Sequence, residues 1–132
     1  MQVAGCASQP VLRLPAGLCY NWNAMMENPK DAPVLKRFRH AVFETYGDRL
    51  ERVVLFGSRA RGDAREDSDY DVAVFLRDYV PGTTTELYQL AGLSSVILDE
   101  TGAFIHAMPY RAGSYHERTP LMHEIRAEGI DL

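Results

Sequence analysis

Cysteine is scarce: only Cys6 and Cys19 occur in 132 residues, both within the first twenty. Their spacing fits no metal-ligand pattern, and two cysteines do not make a disulfide framework. The cysteine-free remainder fits a reducing, cytoplasmic setting. No apolar run approaches the roughly 20 residues that cross a bilayer as a helix. An excess of positive charge is missing too, since 14 Lys and Arg face 18 Asp and Glu, a net charge of −4. That balance argues against a protein that blankets nucleic acid with cations. It leaves room for an enzyme that handles one nucleotide through a few local arginines.

Two nucleotide-binding patterns are also absent. Gly57-x4-Gly62 has P-loop glycine spacing, but Asp63-Ala64 follows where Lys with Ser or Thr is required. A carboxylate there would repel phosphate. The sequence contains no GxGxxG.

What is present is the composition of one ordinary domain, 46% hydrophobic and 24% charged. Residues 1–30 differ from the rest: Arg13 is the only charge before Glu27, and Gly5, Pro10, Pro15 and Gly17 interrupt any periodicity. They read as a poorly ordered extension, with residues 31–132 as the domain.

Asp31 as N-cap and Pro33 in the first turn predict a helix, with Leu35, Phe38, Val42 and Tyr46 on one face and Gly47 as its stop. Arg52–Phe56 is β-branched and apolar and reads as a buried strand. A second strand is expected over Tyr70–Leu76. Thr83 to Glu86 has capping-box form before a helix running to Gly102 through Leu87, Leu90, Leu93 and Ile97. A third strand is expected over Ala103–Met108. The last helix spans Thr119/Pro120 to Glu128, and Ile130–Leu132 follow as a final strand. The fold class is α/β (α+β), a small mixed β-sheet covered by helices.

The chemistry concentrates in Val53–Leu76, VVLFGSRARGDAREDSDYDVAVFL. A buried strand running into Gly57-Ser58 puts a flexible backbone and a hydroxyl where phosphate can approach free N–H groups. Asp69 and Asp71 stand at i and i+2 of an extended segment, so alternation predicts both carboxylates on one face. Such a pair repels itself unless a cation lies between, and hard oxygen ligands suit Mg2+ or Mn2+. Arg59 and Arg61 are candidate phosphate neutralisers. Together these residues describe a site for a metal–nucleoside triphosphate.

Gly57-Ser58, ten residues, then Asp69-Tyr70-Asp71 resembles the signature of the DNA polymerase β-like nucleotidyltransferase superfamily. The fuller string Gly57-Ser58-Arg59-Ala60-Arg61-Gly62 through Ser68-Asp69-Tyr70-Asp71-Val72 is similar to the minimal nucleotidyltransferases of bacteria and archaea. The resemblance covers about Asp31 to Leu132, including the closing Ile125–Ile130 segment. It implies the polymerase β-like fold and transfer of a nucleoside monophosphate, AMP from ATP, to an acceptor hydroxyl. Asp69 and Asp71 would hold the metal ions, while the Gly57 backbone and Ser58 would hold the β- and γ-phosphates.

The same resemblance exposes a departure. Active members carry a third carboxylate on a neighbouring strand, and Ala103–Met108 offers none; His106 occupies its only polar position. A neutral imidazole there could accept a proton or ligate a softer metal. The structural reading, a half-buried hydrogen-bonded histidine, is the expectation. Asp99 and Glu100 are expected to face solvent, as are His116 and His123, while Tyr70, Tyr88 and Tyr110 read as packing residues. Two further functions follow from the resemblance. One is an antitoxin of the minimal-nucleotidyltransferase type that masks or AMP-modifies a helical HEPN toxin. The other is a degenerate relative that binds nucleotide without turnover.

Overall fold

The computed structural model describes residues 31–132, so the extension expected over residues 1–30 lies outside the description. Helix α1 spans Pro33–Tyr46 and buries Leu35, Phe38, Val42 and Tyr46 along one face, with Val34 and Ala41 widening the stripe. Pro33 opens it, as its fixed φ and missing N–H allow. The N-cap is Ala32 rather than Asp31 and makes no side-chain cap bond. Gly47, at φ +54°, ends the helix, a conformation that glycine adopts without a Cβ clash.

Strand β1 is Leu50–Phe56, two residues longer than expected because Leu50 pairs with Leu76 across a bulge. A four-residue helix α2, Ser58–Arg61, follows. Strand β2, Tyr70–Leu76, has the bounds its apolar run suggests. Helix α3 covers Thr85–Thr101 and ends at Gly102. Thr83 and Glu86 do not form a capping box: the N-cap is Thr84 without a side-chain bond. Glu86 accepts instead from Arg49 Nη2 at 2.7 Å, and a charged partner outcompetes a backbone N–H.

Strand β3 is Ile105–Arg111 rather than 103–108. The strand runs on through Pro109 because, among the described residues, β3 pairs with β2 alone, and an edge strand tolerates a missing donor. Helix α4, Pro120–Glu128, starts from Thr119, whose side chain accepts from the Met122 N–H. Strand β4, Ile130–Asp131, completes the sheet.

The sheet order is β3-β2-β1-β4. Strand β2 runs antiparallel to β1 and parallel to β3, and β4 runs antiparallel to β1. Helices cover both faces, which is why β2 is a continuous apolar run rather than an alternating one. Val72, Val74, Leu76, Ile105 and Ala107 pack on one face with Leu35, Phe38, Val42, Leu90 and Ile97. Ala73, Phe75 and Val54 face Met122 and Ile125 of α4, with Tyr110 and Tyr115 alongside. Phe38 and Phe75 are fully buried, so cutting either to Ala should cost about 3–5 kcal/mol. Tyr88, expected to pack, is 71% exposed, on the solvent side of α3.

Period-two alternation carries the consequence for function. With Ala73 and Phe75 on the α4 face, Asp71 projects on that side, and His106 belongs to it because Ile105 and Ala107 take the other.

Candidate active site

The start of β2 and the end of β1 meet here, and Asp71 pairs in register with Phe56 of β1 and His106 of β3. Gly57 leaves β1 at φ +77° and ψ −159° and is buried. A Cβ built on it would stand 2.5 Å from Asp71 Oδ2. The glycine is thus required twice, by backbone conformation and by the carboxylate beside it.

Asp71 is part of β2 and its side chain is 35% exposed. Asp69 lies one residue before the strand, in the connection, and is exposed. The expectation of both in one extended strand is corrected there: Tyr70 is the first strand residue, and its N–H donates to Phe104 O at 3.0 Å. His106 Nδ1 lies 3.6 Å from Asp71 Oδ1 and its side chain is 57% exposed. It is not the half-buried residue expected on a short strand; it stacks beside Phe104 and faces Asp71.

The loop delivering Asp69 is held by Arg59. Its Nε and Nη2 donate to Ser68 O at 3.2 and 2.8 Å, and Nη2 donates to Glu66 O at 3.0 Å. The guanidinium also lies 4.4 Å from the Tyr70 ring centroid. Arg59, a candidate phosphate neutraliser by sequence, spends these donors on its own loop in this structure. Arg65 N–H donates to Ser68 Oγ at 2.9 Å, tightening the same turn.

Arg61 is placed differently. Its Nε donates to Asp63 at 3.2 Å and its Nη1 to Glu128 Oε1 at 3.0 Å. The hydrogen bond to Asp63 leads in pushing the guanidinium above its ordinary value; burial opposes it, and the charges of Asp63 and Glu128 add to the rise. Glu128 Oε1 also accepts the Gly57 N–H at 3.1 Å. Sequence reasoning missed Glu128 as a site residue. It lies 71 residues from Gly57, and no local pattern connects them. Ser58 opens α2 and is partly exposed beside Gly57.

Elsewhere the sequence expectations hold: Asp99, Glu100, His116 and His123 are exposed, with Glu100 paired to Arg37 at 3.1 Å. Tyr110 packs against Phe75 at 5.6 Å between centroids, and burial raises its phenol above the ordinary value.

Among the described residues no group of three or more His, Cys, Asp or Glu converges as a ready-made metal cage. Two carboxylates suit a cation that keeps waters and completes its shell with phosphate oxygens, which is how magnesium is usually held. They do not suit a closed structural zinc site. Nor is any helix among the described residues long and apolar enough to cross a membrane.

A family model described as "Polymerase beta, Nucleotidyltransferase" matches residues 40–130. A curated relative from Methanocaldococcus jannaschii, "Putative protein adenylyltransferase MJ0141", is 42% identical over 45 residues, 34% of this chain and 46% of that protein. The chain therefore spans about half the length of this relative. Among solved structures, "a putative nucleotidyltransferase from Sulfolobus solfataricus" is similar with a TM-score of 0.58 at 17% identity, covering 87% of this chain and 90% of that one. A chain of a toxin-antitoxin crystallised with AMP-PNP is similar with a TM-score of 0.52 at 17% identity, covering 71% and 68%. At these identities the structural likenesses speak for the fold.

Proposed function

The chain belongs to the polymerase beta nucleotidyltransferase family, and we propose that it transfers AMP from ATP to a hydroxyl on another protein. The observation that carries this reading is the seating of Asp71 against Gly57, where a Cβ would come 2.5 Å from its carboxylate. That contact supports the reading because it sets the carboxylate proposed to bind metal beside the Gly57-Ser58 turn. The protein acceptor is suggested by the name of the M. jannaschii relative. Residues 31–132 would form the catalytic domain, preceded by residues 1–30, in a cytoplasmic protein.

In this reading Asp69 and Asp71 hold Mg2+ or Mn2+ through carboxylate oxygens. The bound cation supplies charge neutralisation for the triphosphate and the departing pyrophosphate. The Gly57 N–H, the Ser58 hydroxyl and Arg61 orient the β- and γ-phosphates. Arg59 holds the loop that presents Asp69. The acceptor oxygen bonds to the α-phosphorus as the bond to pyrophosphate breaks, and the acceptor's proton passes to Asp71 or its neighbour His106.

The test is calorimetric titration of ATP, with and without magnesium, into wild type and Asp71→Ala. Magnesium-dependent binding should vanish in the variant while thermal stability changes little, since removing one carboxylate relieves like-charge repulsion. Unchanged affinity would count against Asp71 as a metal ligand. A transfer assay with α-labelled ATP then seeks the acceptor.

A second reading rests on the likeness to a toxin–antitoxin chain and on His106 facing Asp71 where a third carboxylate is expected. Here the protein neutralises a helical HEPN-type toxin, by modification or by binding alone. Co-purification with the product of an adjacent gene, with Asp71→Ala as the comparison, separates the two modes. Neutralisation that survives in Asp71→Ala means masking.

A further inference from the structure

Glu128 is the last residue of α4, and its side chain is 22% exposed. One of its oxygens, Oε1, accepts both the Gly57 N–H at 3.1 Å and Arg61 Nη1 at 3.0 Å. A carboxylate at a helix C-terminus is unfavourable on its own, because it adds negative charge where unpaired carbonyls already point. Its stabilisation comes from these two donors. Its position is fixed by the next residue: a Cβ on Gly129 would fall 2.2 Å from Ile125 O and 2.5 Å from Val54 Cγ1. Only a glycine lets the chain turn this tightly from α4 into β4, and that turn holds Glu128 over Gly57.

The two donors are those assigned above to a triphosphate, and a single N–H cannot serve two anions fully. We propose that Glu128 is a built-in occupant of the phosphate cradle, which a nucleoside triphosphate must displace and which thereby sets nucleotide affinity. The inference rests on the nucleotidyl-transfer reading. It adds that the free protein is held in a self-bonded state, with Arg61 and Gly57 engaged until phosphate arrives. Discrimination follows as well: only ligands with β- and γ-phosphates compete with the carboxylate, whereas AMP does not reach its donors.

The test compares Mg-ATP and AMP titrations into wild type and Glu128→Gln. The amide keeps the shape but withdraws the charge, so ATP affinity should rise about tenfold, the scale of one charge-assisted hydrogen bond. AMP affinity should stay within about twofold. A purely structural Glu128 predicts the opposite, equal or weaker binding of ATP, and that result overturns the proposal. Glu128→Asp guards against a folding defect: its shorter side chain releases both donors while keeping the charge, and should give a smaller gain in ATP affinity. If wild type binds Mg-ATP through Asp71 and neither variant binds more tightly, the inference falls while the nucleotide reading stands. If none of the proteins binds Mg-ATP, both fall.

Discussion

The carboxylate of Asp71 occupies the space that a side chain on Gly57 would need: a Cβ there would lie 2.5 Å from Asp71 Oδ2. Asp71 is the register partner of Phe56, the last residue of the antiparallel strand β1, and Gly57 follows directly. The Gly-Ser turn and the aspartate are therefore two sides of one contact.

Gly57→Ala should destabilise the fold by about 1–3 kcal/mol through its positive φ and should also push Asp71 out of place. Gly62→Ala is the control. Gly62 has φ +89° but nothing within 4 Å of a Cβ, so it should lose only about 1 kcal/mol. Thermal melts paired with Mg-ATP titration check this. Binding lost in Gly57→Ala and retained in Gly62→Ala is expected.

Ser58→Ala should weaken ATP by about fivefold to tenfold, the worth of one hydrogen bond, and leave AMP nearly unchanged. Competition titrations with both nucleotides read the difference. Equal losses for the two would remove Ser58 from the β- and γ-phosphate contacts.

His106→Asp places a carboxylate on β3 beside Asp71, now 3.6 Å from the His106 Nδ1. Magnesium affinity in the presence of ATP should rise, and AMP transfer should increase by about tenfold or more if a third carboxylate is what limits the wild type. Labelled-AMP incorporation at saturating magnesium measures it. A slower variant would mean that the imidazole contributes to the reaction.

Glu86 should govern part of the acid sensitivity. Hydrogen bonding from Arg49, first among several causes, holds its carboxyl below the ordinary value, and the side chain is only 13% exposed. A depressed folded value means the contribution is present above the unfolded pKa of about 4.3 and is lost as pH falls through the folded one. Arg49 is 36% exposed, so solvent screening limits the pair to about 1 kcal/mol or less. Denaturant melts of wild type and Glu86→Gln should differ at pH 7 and converge as the pH falls through the depressed folded value. A constant gap across that range would show that the pair does not carry it.

The neighbouring Tyr46 reports on the same corner. Desolvation, then the charge of Glu86, pushes its phenol up to about 12. Spectrophotometric titration should find one tyrosine ionising well after the exposed ones, and earlier in Glu86→Gln.

Much of this was legible in one dimension. Helical spacing picked out Leu35, Phe38, Val42 and Tyr46, all buried, because a helix's inward stripe repeats every three or four residues whatever it packs against. The β2 bounds were legible because a central strand buried on both faces is a continuous apolar run. Gly57, Ser58, Asp69 and Asp71 stood out because they are close in sequence and their types suit one chemistry. The end of β3 was not legible, since Pro109 breaks strands in general and is tolerated here only by the edge position.

The sequence by itself determined the order of helices and strands though not every bound, the candidate Gly-Ser and Asp pair, and the lack of a carboxylate over Ala103–Met108. Tertiary structure alone decided that His106 faces Asp71, that Arg59 is taken up by its own loop, and that Glu128 meets Gly57 and Arg61. The reason is physical. Periodicity and turn chemistry act over a few residues, whereas these contacts join positions 35 and 71 apart, or a long side chain to backbone carbonyls, and exist only once strand register and the α4–β4 turn bring them together.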